Sequence, residues 1–199
     1  MIKLGLTGGI GCGKSYVAAL LAGEGVPVYS TDLAARRLMT ESDELRKKLC
    51  ALVGRDVFHA DGSLNKPLLA SYVFSGPSGA ERVNRLVHPA VREDFNRWVA
   101  GQSAPLVAME CAILYESGFD RLVDKVLLVH APEEICLRRA MLRDGASEAQ
   151  VKARMRAQMP DAARLCRADY ILENDGQEEL PSRLGRIISQ IMKDAQRQD

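Results

Sequence analysis

The residues with the clearest chemistry lie near the amino terminus, where Gly8 to Ser15 match the pattern G-x-x-x-x-G-K-[ST]. In this pattern the glycines let the backbone curl so that successive N–H groups point inward and bind phosphate oxygens. Lys14 then reaches the β- and γ-phosphates, and the Ser15 hydroxyl is a ligand for Mg²⁺. The motif therefore predicts a nucleoside triphosphate site, with ATP and Mg²⁺ as the expected ligands.

The same motif predicts which loop residues contact the nucleotide. The residues expected to border the phosphates of ATP are Gly9, Gly11, Cys12, Gly13, Lys14, Ser15 and Tyr16. Lys14 is also predicted to be catalytic, because its positive charge offsets the negative charge of the phosphoryl group in transfer. The helix that follows the loop adds a partial positive charge at its amino terminus.

A carboxylate follows the second predicted strand, in Ser30-Thr31-Asp32. Ligands of open α/β sheets bind beyond the carboxyl ends of the strands, so Asp32 is expected to face the loop across that edge. A carboxylate there would accept or orient the proton of an acceptor hydroxyl near the γ-phosphate, which predicts a catalytic, acceptor-binding role. The alternative is that Asp32 caps the helix that begins at this point.

These residues need a scaffold that brings strand ends together. Short apolar runs rich in β-branched residues alternate with segments of helical period, which predicts a parallel sheet covered by helices. The predicted strands are residues 2–7, 26–30, 106–110, 126–130 and 170–173. Helices are predicted at 15–22 and near 181–195; the latter has Ile187, Ile188, Ile191 and Met192 on one face.

Two insertions interrupt this alternation. Residues 31–105, between the second and third strands, are far more than a crossover needs and have mostly helical patterns. A second, basic insertion at about 133–167 is also helical, and Ser147 with Gln150 predicts a capping box inside it. Arg139 and Arg143 lie four residues apart there, so they share a helix face that would either bind phosphate or remain solvated.

The composition excludes several classes of protein. The chain has 199 residues and a formal net charge of +1 without a basic block, which argues against a nucleic-acid partner. Its five cysteines form no C-x-x-C pair, which argues against a disulfide framework or a zinc site and favours a reducing, cytoplasmic location. No apolar run is long enough to span a membrane.

The phosphate-binding motif also occurs in switch GTPases and in motor or transport ATPases. The guanine-reading N-K-x-D element is missing, since the only Asn-Lys pair continues as Asn65-Lys66-Pro67-Leu68. The H-R-D element of protein kinases is missing too. The remaining hypotheses are a small-molecule kinase, including one for shikimate or a nucleoside monophosphate, and a non-catalytic nucleotide switch. Asp32 favours a kinase, because a protein that only binds nucleotide needs no carboxylate there.

Six short motifs in order make the chain resemble the dephospho-coenzyme A kinase family over nearly its whole length. They are LTGGIGCGKS with Tyr16-Val17-Ala18, Thr31-Asp32 with Ala35-Arg36, His88-Pro89, Ala112 to Glu116, Arg138-Arg139 and Arg143-Asp144 with Gln158, and Ala168 to Ile171 with Asn174-Asp175-Gly176. Two positions depart from the family pattern: Tyr16 stands where Thr is most common, and Ala112 replaces a proline.

The resemblance implies a P-loop kinase fold whose substrates are ATP and dephospho-coenzyme A, phosphorylated on the ribose 3′-hydroxyl. It implies a nucleotide-binding core at 1–35, 104–132 and 168–199, a helical acceptor subdomain at about 36–103 and a lid at about 133–167. The protein would be a monomer or a weak homo-oligomer.

The resemblance also assigns roles to single residues. Arg139 would be catalytic and bind ATP, and Arg143 and Asn174 would bind ATP as well. His88 and Glu116 would contact the acceptor. A helix break at Pro89 is the structural alternative for His88; the alternatives for Glu116 are orientation of the lid and an ordinary surface carboxylate. From its place at a strand end, Glu110 is a further candidate for a carboxylate directed at the metal.

Overall fold

The computed structural model describes residues 1–76, 78–176 and 179–196, which contain a five-stranded sheet. Its strands are β1 (Ile2–Gly8), β2 (Val28–Ser30), β3 (Leu106–Glu110), β4 (Lys125–His130) and β5 (Tyr170–Glu173). They are arranged in the order β2-β3-β1-β4-β5, and β1 pairs in parallel with both β3 and β4, as β4 does with β5. The predicted α/β fold with five strands is confirmed.

Helices follow the strands as the sequence pattern predicted. They are α1 (Lys14–Gly23), α2 (Thr31–Glu41), α3 (Asp43–Val53), α4 (Lys66–Phe74), α5 (Gly79–Ala100), α6 (Glu133–Asp144), α7 (Glu148–Arg156), α8 (Asp161–Arg167) and α9 (Leu180–Gln196). The capping box at the start of α7 is present, with Ser147 and Gln150 each bonded to the other's backbone N–H. No helix in the described part of the chain is both long and apolar enough to cross a membrane.

The chain divides into two compact units. The first contains Met1–Tyr29 and Gln102–Asp199, and the second contains Ser30–Gly101. In the first unit, Leu4 and Leu6 of β1 and Leu127 of β4 have no solvent exposure, as expected of parallel strands covered by helices on both faces. The apolar face of α9 packs on this core. Ile191 is only 1% exposed, and Ile187, Ile188 and Met192 are partly buried.

Strand β2 is shorter than predicted, because it begins at Val28 and not at residue 26. Proline has no backbone N–H to donate, so Pro27 cannot make a full set of ladder hydrogen bonds. Its carbonyl still accepts a hydrogen bond of 2.9 Å from the N–H of Ala108 in β3.

The second unit contains a 22-residue helix, α5, that runs through Pro89 without interruption. The helix break proposed as the structural alternative for His88 is therefore wrong. Valines 83, 87 and 91 with Phe95 are buried at a spacing of four residues on both sides of the proline. This single buried face stabilises the helix by more than the hydrogen bond that proline removes.

Candidate active site

The loop between β1 and α1 leaves the centre of the sheet, where β1 lies between β3 and β4. The backbone at Gly11 and Gly13 has φ of 81° and 91°, a left-handed conformation that favours glycine. A Cβ atom at Gly11 would collide with the carbonyl oxygen of Cys136, and one at Gly13 with the amide nitrogen of Asn174. The glycines of the motif are therefore required by close backbone contacts as well as by conformation.

Helix α1 begins directly after Gly13, and no side chain in the described part of the chain caps it. Its amino terminus thus offers backbone N–H groups and a partial positive charge, which suit an anion. The Cys12 thiol points away into the core, is 1% exposed, and has its pKa raised by burial. Cys12 can therefore contact a nucleotide only through its backbone. Tyr16, in contrast, is 56% exposed to solvent.

Lys14, Ser15 and Glu110 meet at the carboxyl ends of β1 and β3. The Glu110 Oε1 atom accepts hydrogen bonds from Lys14 Nζ at 2.7 Å and from Ser15 Oγ at 2.9 Å. The Lys14 and Glu110 side chains are each only 12% exposed, so their charges interact with little screening by water. The structure thus joins both chemical groups of the motif to the carboxylate at the end of β3.

Asn174 and Arg139 also lie at this loop. The Asn174 side-chain amide donates a hydrogen bond of 2.7 Å to the carbonyl of Cys12, and Arg139 Nη1 donates one of 2.9 Å to the Asn174 carbonyl. Two residues assigned to ATP are therefore connected to the phosphate-binding backbone. Their contact with ATP itself stays a prediction.

Arg143 has a different setting on α6. It is exposed and donates hydrogen bonds of 2.7 and 3.1 Å to the carboxylate of Asp144, which also pairs with Arg154 at 2.8 Å. Hydrogen bonds from Arg143 and then Arg154 lower the pKa of Asp144 to about 2. Arg143 thus bonds to a carboxylate of its own helix, which in turn pairs with α7, and its binding of ATP stays a prediction.

Glu116 lies in the segment after β3 and accepts a hydrogen bond of 2.9 Å from the backbone N–H of Met159. The neighbouring Gln158 accepts one of 3.0 Å from the N–H of Ile10. These bonds attach the connection between α7 and α8 to the phosphate-binding loop and to the segment after β3. Glu116 therefore makes a contact that suits orientation of the predicted lid, and its contact with the acceptor stays a prediction.

Arg164 of α8 is a residue that the sequence analysis did not single out. Its side chain is 7% exposed, and its Nη2 atom lies 2.6 Å from Asp161 Oδ1. It lines a cavity together with Gly9, Ile10 and Cys12 of the loop. The sequence offered only a weak signal for Arg164, namely an Asp three residues before it within a predicted helical insertion.

Two candidate residues belong to the second unit. Asp32 is an exposed residue in the first turn of α2, directly after β2, and the N-cap position is Ser30. The alternative that Asp32 caps this helix is therefore wrong, because capping requires the residue before the first turn. His88 is half-buried within α5; burial, and then the charge of Arg92, lowers its pKa, so it is neutral at pH 7.

Comparison with known proteins identifies the family. A family model described as dephospho-CoA kinase matches residues 2–179. The chain belongs to the dephospho-CoA kinase family. A dephospho-CoA kinase of Bacteroides fragilis is 43% identical to it over 189 residues, which cover 94% of this chain and 92% of that protein.

Solved structures share the fold of this chain. A crystal structure of a Thermus thermophilus protein has a TM-score of 0.82 and 37% identity, and the likeness covers 97% of each chain. A dephospho-CoA kinase from Campylobacter jejuni has a TM-score of 0.71 with 24% identity, over 97% of this chain and 98% of that one. At that identity, the second likeness supports the fold alone.

Proposed function

We propose that the chain is a dephospho-CoA kinase, which transfers the γ-phosphate of ATP to the ribose 3′-hydroxyl of dephospho-CoA and so forms coenzyme A. The observation that carries this proposal is the family match, which runs from β1 to the start of α9. As a member of the family, the chain is a phosphotransferase with an alcohol group as acceptor and ATP as co-substrate.

The other hypotheses are not favoured. The relative with 43% identity is named a dephospho-CoA kinase, and its likeness covers almost the whole of both chains. A kinase for shikimate or a nucleoside monophosphate would share the fold but not this match. A non-catalytic switch would need neither the acceptor segment nor a carboxylate after β2.

The proposed mechanism assigns a task to each side chain. Phosphoryl transfer depends on positioning and charge neutralisation and little on covalent chemistry. Lys14 would exchange the Glu110 carboxylate for the phosphates of ATP, and Arg139 would add a second positive charge. Asp32 would accept or orient the proton of the 3′-hydroxyl.

Ser15 at the start of α1 and Glu110 at the end of β3 fit a magnesium ion. Mg²⁺ prefers oxygen ligands and is usually held by one or two carboxylates together with substrate phosphates and water. Ser15 Oγ and Glu110 Oε1 supply a hydroxyl and a carboxylate oxygen 2.9 Å apart. We propose that Ser15 holds the ion and that Glu110 supports it. The ion would neutralise charge on the phosphates.

A Glu110→Gln enzyme should need about 10- to 100-fold more Mg²⁺ for half-maximal turnover, as is typical when a supporting group of a metal site is lost. The measurement is a titration of turnover with Mg²⁺ at fixed ATP, with a melting curve for each variant. Asp124→Asn is the control, because Asp124 pairs with Lys3 elsewhere on the sheet. An unchanged Mg²⁺ requirement would mean that Glu110 only positions Lys14.

The choice of acceptor tests the proposed function directly. With ATP and Mg²⁺, dephospho-CoA should be converted to a product with a new 3′-phosphate, detectable by phosphorus NMR. Shikimate, AMP and CMP should be far poorer acceptors under the same conditions. A parallel preparation of the Lys14→Ala variant controls for contaminating kinases. Robust turnover of one of the three, with none on dephospho-CoA, would refute the proposal.

The remaining parts of the proposal concern the whole chain. Segment 36–103 would hold the acceptor, segment 133–167 would close over ATP as a lid, and 1–35, 104–132 and 168–199 would form the core. All five cysteines are free thiols, which supports a reducing, cytoplasmic location. We also propose a monomer or weak homo-oligomer without a nucleic-acid partner.

A further inference from the structure

We propose that Arg164 is a further phosphate-binding residue, whose guanidinium group binds the terminal phosphate of ATP at the Gly9 end of the loop. The proposal rests on the proposed function in one respect, that ATP is the nucleotide bound. The family resemblance pointed to Arg139 and Arg143 for this purpose. Arg164 is assigned from its position and its unpaired donors.

The guanidinium group lies against the loop backbone. A Cβ atom placed at Gly9 would lie 3.0 Å from Nη2 and 3.6 Å from Nη1 of Arg164. Glycine at this position therefore leaves the space that the guanidinium occupies. Arg164 and the first half of the loop line the same cavity, beside the end of β4.

The hydrogen bonds of Arg164 are incomplete. Its Nη2 atom has Asp161 as a partner, but the buried Nε and Nη1 atoms have no partner among the described residues. A buried donor without a partner costs free energy, and a charged one costs more, so such a group in a folded protein requires an explanation. A ligand with several acceptor oxygens at this place would supply the missing bonds.

The burial of the charged guanidinium also favours an anion, although the carboxylates of Glu133 and Asp161 line the same cavity. Asp161 is 48% exposed, so water screens much of its attraction for the guanidinium, which is itself 7% exposed. Arginine stays charged when it is buried, and its planar fork fits two phosphate oxygens at once. Arg164 is thus a buried cation whose carboxylate partner is about half exposed to solvent.

The position along the loop selects the terminal phosphate. The amino terminus of α1 lies at the far end of the loop, where backbone N–H groups serve the inner phosphates and from which Lys14 is predicted to reach the β- and γ-phosphates. Gly9 lies at the opposite end, directly after β1. There the N–H of Ile10 is already bonded to Gln158. A side-chain donor next to Gly9, such as Arg164, is therefore placed to reach the terminal phosphate, for which the loop backbone has fewer free donors.

The test compares ATP with ADP, which lacks the terminal phosphate. In Arg164→Met, the Kd for ATP should rise roughly 10-fold or more while the Kd for ADP changes less than about threefold, and kcat should fall roughly 10- to 100-fold. Arg164→Lys should restore part of the ATP affinity, because it keeps the charge without the fork. Calorimetric titration measures both affinities without an acceptor, so the result holds even if dephospho-CoA proves to be the wrong acceptor.

Arg167→Met is the matched control. Arg167 is on the same helix, but it is 44% exposed and pairs with Asp120 at 2.9 Å, away from the cavity. Its variant should bind ATP and ADP as the wild type does. Asp161→Asn separates charge pairing from phosphate binding, since it removes the ion pair and leaves the guanidinium.

Two results would overturn the proposal. One is equal weakening of ATP and ADP in a folded Arg164→Met variant. The other is an Asp161→Asn variant that reproduces the full ATP defect, because Arg164 would then act only through its ion pair. If Arg164→Met does not fold, the Kd values for ATP and ADP are compared in Arg164→Lys instead, and equal weakening of both would again overturn the proposal.

Discussion

A Lys14→Ala enzyme is expected to lose on the order of 10³-fold in kcat, because the lysine is predicted to donate to the phosphates, whose charge must be offset during transfer. Its ammonium group lies in a shielded site, 2.7 Å from Glu110 Oε1, with both side chains 12% exposed. Water cannot replace a charge so well shielded from solvent. Release of ADP at saturating ATP and acceptor is the measurement.

The same change also removes the lysine that pairs with Glu110. Removing one partner of a fully buried ion pair typically costs about 3–5 kcal/mol, and this pair retains some exposure, so a smaller loss is expected. The double variant Lys14→Ala/Glu110→Gln removes the uncompensated charge and should recover stability but not turnover. Lys3→Ala, which removes the β1 lysine of a more exposed pair, should keep normal kcat. Near-normal turnover of folded Lys14→Ala would refute the assignment of the loop.

An Asp32→Asn enzyme is expected to lose about 10²-fold in kcat with ATP affinity close to normal. Asparagine keeps the shape of the side chain but does not accept a proton as a carboxylate does. The loss should lie at the lower end of the range for general bases, because the loose transition state needs little early deprotonation. Initial rates at varied acceptor and separate ATP titrations provide the two readouts.

Asp43→Asn is the control for helix electrostatics. Asp43 is an exposed carboxylate in the first turn of α3, as Asp32 is in the first turn of α2. Both variants lose the same favourable interaction with a helix amino terminus, worth about 0.3–1 kcal/mol, so their melting temperatures should fall alike. Only Asp32→Asn should lose turnover. Loss of ATP binding with intact turnover per bound nucleotide would instead assign Asp32 to the metal or the nucleotide.

The sheet could be predicted from the sequence because its signals are local. The strands β3 and β5 were predicted with the observed ends, since each is a short, mostly apolar run that ends at a glutamate. The errors came from prolines, whose effect depends on their neighbours. Pro27 shortened β2, while Pro89 is accommodated within α5 by the buried face of that helix.

The candidate site was only partly predictable. The motif identified Lys14 and Ser15, and the end of β3 suggested Glu110, but the bonds between them depend on how β1 and β3 pair. Arg164 was missed for a physical reason. An arginine in a helix is ordinarily solvated, and only the packing of α8 against β4 and the loop buries this one.

The bond from Asn174 to Cys12 joins residues 162 positions apart, which bears on how the protein is made. A ribosome releases the phosphate-binding motif first, yet the two strands that flank β1 are encoded after residue 105. A nascent chain that ends before β3 therefore carries the complete motif on an apolar strand without sheet partners. Such segments are prone to aggregation, and protection by chaperones is expected to matter most during this interval of synthesis.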